Sequence, residues 1–129
     1  MSWIYHVDTG HLISPDGKMD SIGYSGQPPY TNDSTFDHLE GKGPLPLGKW
    51  TAKDVIEEHP KLGAFVIVLE PDAETRARVL EMGRNPDSFR MHGERVTPPP
   101  GLASDGCLVQ PLFTRKAYWA SSDHDIEAI

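Results

Sequence analysis

Twelve glycines and twelve prolines are spread through these 129 residues. Glycine allows positive φ and proline fixes one dihedral, so the chain must turn often and long helices are few. That leans the fold toward β structure. Trp3-Ile4-Tyr5-His6-Val7 is aromatic and β-branched and reads as a strand. A turn at Asp8-Thr9-Gly10 leads to a second strand over residues 11–14. Pro15-Asp16-Gly17 is a strong turn, and residues 18–24 read as the third strand of a meander. Residues 25–43 show no sustained periodicity; a loop of this length is either one wall of a cleft or a surface excursion. Pro44 and Pro46 feed a strand running to about residue 56, followed by a polar turn over 57–63. Residues 64–69 are nearly all apolar, as in a central strand buried on both faces. A short helix follows through Met82, with Asp72 as N-cap and Gly83 at the left-handed cap position, docked by Val79, Leu80 and Met82. Residues 88–92 and 107–109 read as strands, Leu112–Ala120 as a helix and 125–129 as a closing strand. The length fits one domain over residues 1–129.

Composition excludes several functions. Hydrophobic residues make up 37% and charged residues 24%, which suits a globular chain. The net charge is −7 and no Lys/Arg cluster occurs, so nucleic acid is not an expected partner. An anionic substrate would need a local cationic pocket. The longest apolar run is far too short to cross a bilayer, so no membrane insertion is expected. The N-terminus lacks a basic start followed by an apolar core, and reads as having no Sec signal. A single cysteine cannot make an internal disulfide.

Residues 89–109 carry the chemistry. They hold Cys107, with His92 fifteen positions before it and a proline-rich loop between, Pro98-Pro99-Pro100, that ends in Ser104-Asp105-Gly106. A lone cysteine is often a small buried hydrophobe. Here Gly106 lets the backbone turn sharply, and the loop-to-strand junction leaves N–H groups that can face an oxyanion, those of Gly106 and Cys107. The strand period of two puts Phe89 and Met91 on one face, Arg90 and His92 on the other. Gly93 frees the imidazole for a cleft, and a backbone carbonyl near Gly93 is the expected group to orient it. Cys107 and His92 thus read as nucleophile and base, with a thiolate beside imidazolium populated at neutral pH. The other histidines have no such context. His92-Gly93-Glu94 matches half of a zinc deaminase signature, but the other half needs two cysteines; no metal and no cofactor are expected.

In order along the chain stand Trp3-Ile4-Tyr5, Gly23-Tyr24-Ser25-Gly26, Gly43-Pro44-Leu45-Pro46-Leu47-Gly48 before Lys49-Trp50, His92-Gly93, Ala103-Ser104-Asp105-Gly106-Cys107, and Arg115. This series resembles the L,D-transpeptidases, cysteine enzymes of peptidoglycan stem peptides. It is closer to the L,D-transpeptidase-like effectors of bacterial type VI secretion. Asp105 stands where typical L,D-transpeptidases carry histidine, and the loop after His92 is shorter than theirs. The resemblance implies a mainly β, compact L,D-transpeptidase-like (YkuD-like) β-sandwich with one or two short helices. It implies attack by Cys107 on the diamino acid–D-Ala bond of a tetrapeptide stem, with the thioester passing to water (L,D-carboxypeptidase) or to an amine (L,D-transpeptidase). His92 would be the base, and Gly106, Gly93 and Ser104 would position the site. Ser104 would either bond substrate or brace its loop. Arg115, Tyr24 and Asp105 would contact substrate, with Arg115 on the stem carboxylate. The implied setting is an antibacterial toxin made in the cytoplasm and exported without a signal to a target-cell periplasm, with an immunity protein and a secretion carrier as partners. Two alternatives stay open: a cysteine amidase or endopeptidase on another stem bond, and a non-catalytic wall-binding module.

Overall fold

The computed structural model describes residues 1–94, 101 and 104–129. Among them are nine strands and two α-helices: β1 (Trp3–His6), β2 (His11–Ile13), β3 (Asp20–Ile22), β4 (Tyr24–Ser25), β5 (Gly48–His59), β6 (Gly63–Pro71), α1 (Ala73–Glu81), β7 (Arg90–His92), β8 (Leu108–Val109), α2 (Leu112–Ala120) and β9 (Asp125–Ala128). A 3₁₀ turn, Ser34–Phe36, is the regular element within the long loop after β4. The chain is mainly β, as composition suggested. The strands form one sheet in the order β3-β2-β1-β9-β5-β6-β7-β8-β4. The sequence led us to expect a two-sheet sandwich; the hydrogen-bonded ladder is instead continuous.

That order curls the sheet on itself. β3 and β4 are its two outermost strands, yet only Gly23 separates them in sequence. The opposite edges must therefore meet. The expected single strand over residues 18–24 is in fact two strands on two edges, because Gly23 leaves one ladder and its neighbour joins another. Gly23 N–H donates to Gly10 O at 2.8 Å, and Gln110 Nε2 donates to the same carbonyl at 3.2 Å. Nothing larger than glycine fits. A Cβ on Gly23 would sit 1.8 Å from Val109 O, and one on Gly10, at φ +80°, 2.0 Å from Gly23 O.

The registers line the inner face with one set of side chains. Tyr5 pairs with Leu12, Trp3 with Ile126, Trp50 with Ile126, Ala52 with Leu69, Ile67 with Met91, and Met91 with Leu108. All of these are buried. Phe89, which sits edge-on to Trp50 at 5.0 Å, joins them. Helix α1 begins at Asp72, whose carboxylate accepts Thr75 N–H at 2.9 Å, and ends before Gly83 at φ +80°. Val79 docks it, whereas Leu80, expected to do the same, is exposed. Helix α2 has the expected bounds and spans the curl. Tyr118 packs on Trp3 and Thr114 meets Ser21 at 2.7 Å. The expected turn at 57–63 is shorter, since β5 and β6 stay paired from Glu58–Ala64 to His59–Gly63. A ladder needs only backbone, and the glutamates there point to solvent.

Gly23→Ala is expected to cost about 3 kcal/mol or more, because the added methyl overlaps backbone that cannot retreat. Gly17→Ala, which meets nothing within 4 Å, should cost only about 1–2 kcal/mol for its positive φ. Urea unfolding of the two variants checks the difference.

Candidate active site

β7 and β8 run parallel, with Met91 opposite Leu108 and His92 opposite Val109. Met91 and Leu108 point into the core, so their neighbours point outward. Extended by one residue, the register sets Cys107 opposite Arg90. Arg90, His92, Cys107 and Val109 thus share the outer face, joined by Tyr24, which pairs with Val109 across β4. The face assignment made from the period of two holds.

Each reactive group has defined neighbours. His92 is 1% exposed. Its Nδ1 lies 2.9 Å from Gly93 O, so Nδ1 carries a hydrogen and donates it to that carbonyl. This is the orienting carbonyl the sequence led us to expect. The Cys107 thiol faces Ser88 O at 3.9 Å, and the Arg90 backbone lies close enough to favour charge on its sulfur. Gln110 N–H bonds His92 O at 3.0 Å, so by alternation the Arg90 N–H also faces β8. Among the described residues no hydrogen bond joins Sγ to the imidazole. The two are diagonal neighbours, a relation that spans about 7–8 Å between Cα atoms.

Burial pushes the Cys107 thiol above its ordinary value of 9.0; the Arg90 N–H and the charges of Arg90 and Arg84 oppose this, and Asp105 adds to it. The expected resting thiolate is thus corrected. Desolvation outweighs the cations and favours the neutral thiol.

The loop before Cys107 is held by buried hydroxyls. Ser104, fully buried, accepts Gly26 N–H at 2.9 Å and Gly106 N–H at 3.1 Å, and donates to Cys107 O at 2.6 Å. It braces the loop, which decides between its two readings. The same geometry corrects the oxyanion assignment, because the Gly106 N–H is engaged. Among the described residues no acceptor takes the Cys107 N–H. Asp105 accepts Gln27 Nε2 at 2.9 Å at an exposed position beside the same loop. Tyr24 donates to Glu94 Oε1 at 2.7 Å, while Glu94 Oε2 accepts Gly101 N–H at 2.9 Å. Tyr24, Glu94 and Val109 line a hollow of about 300 Å³. Pro98-Pro99-Pro100 and Ala103 of the cysteine motif lie outside the described residues.

Arg115 sits deeper than expected, at 5% exposure. Its Nε donates to Gln110 O at 3.0 Å, and its Nη1 to Ala64 O and Phe65 O at 2.7 and 2.8 Å. It thereby pins Phe65, which holds a left-handed φ of +52°. Its Nη2 lies against Gly93, where a Cβ would approach to 2.6 Å. With Lys61 and Gly93 it lines a hollow of about 210 Å³. Sequence reasoning missed Arg84, which is 4% exposed and lies among backbone carbonyls behind Gly106. Its signal was an arginine just past a helix stop, which alone indicates nothing.

Among the described residues, no group of histidine, cysteine or carboxylate side chains is gathered to hold a metal, and no helix is long and apolar enough to cross a membrane. Neither a protein-family model nor a curated protein matches the sequence.

Two outcomes are expected. Iodoacetamide labelling of Cys107 against pH should give a midpoint above 9.0, the ordinary thiol value. The sign for stability follows: the buried thiol contributes fully below the ordinary range, and that contribution is lost as pH rises through the raised value. Ser104→Ala should destabilise by about 1–3 kcal/mol, since it leaves buried backbone groups unsatisfied; denaturant unfolding measures it.

Proposed function

We propose that this chain is a cysteine enzyme of peptidoglycan stem peptides, an L,D-carboxypeptidase with L,D-transpeptidase capacity, on an L,D-transpeptidase-like scaffold. The observation that carries the reading is the shared outer face of Cys107 and His92 on adjacent parallel strands, with the ring oriented through Nδ1 by Gly93 O. The order of the sequence motifs supplies the substrate class.

On this reading His92 Nε2 takes the thiol proton as Sγ adds to the carbonyl carbon between the stem's diamino acid and its terminal D-Ala. The carbonyl oxygen becomes an oxyanion, held by the Cys107 N–H. The tetrahedral intermediate collapses, the C–N bond breaks, and the imidazolium returns its proton to the leaving amine. D-Ala departs and a thioester remains. Water, deprotonated by His92, then attacks the thioester; the thiol is regenerated and the stem ends in a carboxylate. An amine in place of water gives exchange or a cross-link. Because burial favours the neutral thiol, the base acts in the attack itself rather than storing a thiolate beforehand. Arg115 and Lys61 line a hollow one residue from His92, with Glu94 also on its wall, and on this reading the two cations meet the carboxylate of the departing D-Ala. Tyr24 and its hollow take the opposite end of the stem. The substrate lies in a target-cell periplasm, and a secretion carrier and an immunity protein are the partners on this reading.

Purified muropeptides incubated with the protein should lose one alanine from tetrapeptide stems, read by mass spectrometry. Cys107→Ala should abolish the loss, and His92→Gln should lower the rate by about 10²–10⁴-fold. Cleavage inside the stem, or turnover that survives Cys107→Ala, defeats the proposal.

A further inference from the structure

We propose that Arg84 is the positioning residue of the nucleophile: its guanidinium clamps the Gly43–Pro44 turn onto the Asp105–Gly106 turn and sets a fixed positive charge behind Cys107. The inference rests on Cys107 being the nucleophile of the proposed reaction.

The geometry is that of a clamp. Nη1 donates to Asp37 O and Pro44 O, both at 2.7 Å. Nη2 reaches Gly43 O at 3.3 Å and Asp105 O at 3.4 Å. The guanidinium lies over the Phe89 ring, 4.9 Å from its centroid. Gly106 passes so close that a Cβ would stand 2.2 Å from Nη2. Glycine before the cysteine is thus required by the arginine beneath it, as well as by its own φ of +129°. Two motifs far apart in sequence, Gly43-Pro44 and Asp105-Gly106-Cys107, are held together by one side chain.

The charge has a second use. A buried guanidinium is costly unless its charge is compensated. Here its bonded partners are carbonyls, which supply only partial charge. Asp37 lies near, but its carboxylate is bonded to Arg78 at 2.7 Å, and Glu40 lies in the exposed loop. Cys107 is the other acidic group whose charge Arg84 feels. Negative charge growing on sulfur during attack therefore meets a cation already in position, in a site where charge is poorly screened. Arg90 adds to this field from β7, Asp105 subtracts from it, and His92 lies on the same sheet face.

The test reads the thiol without substrate. Iodoacetamide labelling of Cys107 is followed against pH in wild type, Arg84→Gln, Arg84→Lys and Asp105→Asn, with folding checked by circular dichroism. Arg84→Gln should raise the midpoint measurably, Arg84→Lys should recover most of the shift, and Asp105→Asn should lower it. A folded Arg84→Gln with the wild-type midpoint overturns the proposal. If Arg84→Gln does not fold, Arg84→Lys decides: a midpoint near wild type supports the fixed charge, and a clear rise refutes it. The labelling result also separates the two readings. Absent muropeptide turnover with a shifted midpoint defeats only the proposed activity; turnover with an unmoved midpoint defeats only the role of Arg84.

Discussion

Two buried serine hydroxyls hold the backbone of the candidate site. Ser25 Oγ shares its hydrogen between Gly106 O and Cys107 O, at 3.1 and 3.0 Å, and accepts Leu45 N–H at 2.8 Å. Ser104 Oγ meets Cys107 O from the other side and collects two backbone N–H groups besides. β4 has only two residues and its ladder to β8 ends at Gly26, so these hydroxyls replace the missing ladder bonds. Buried polar groups must be satisfied somewhere. Here their satisfaction fixes the carbonyl and the N–H on either side of the cysteine, and so the direction in which its side chain leaves the chain.

Charge is distributed on the same plan. The chain carries a net −7, yet Arg84 and Arg90 act on the sulfur and Arg115 abuts the glycine after His92. They come from the segment after α1, from β7 and from α2. Two of them are buried and bonded mainly to carbonyl oxygens. A carboxylate partner would neutralise a guanidinium outright, whereas carbonyls leave much of its field available to a neighbour. An acidic protein can in this way present a locally positive groove.

Much of this was legible in the sequence, for reasons that differ by residue. Helix α1 is marked by Asp72 and Gly83, whose capping chemistry is local. The two faces of β7 follow from alternation alone, and so does the placement of Arg90 with His92. The orienting carbonyl at Gly93 follows from a strand end beside glycine. What escaped was non-local. No periodicity distinguishes one strand from two that part at Gly23, since each side of the break looks the same. The role of Arg84 depends on four carbonyls from three distant places, Asp37, Gly43-Pro44 and Asp105, and nothing around position 84 encodes them. The engaged N–H of Gly106 and the buried pose of Arg115 are likewise set by partners remote in sequence. The thiol's protonation depends on how deeply tertiary packing desolvates it, which composition does not give.

The meeting of β3 with β4 has a consequence for the molecule among its neighbours. A sheet with free borders offers rows of unsatisfied backbone groups onto which another copy can add a strand. Here the outermost strands are three and two residues long and are drawn together at Gly23. The curl thus leaves little template for strand addition, and guards a β-rich chain against growing into fibrous aggregates as its concentration rises.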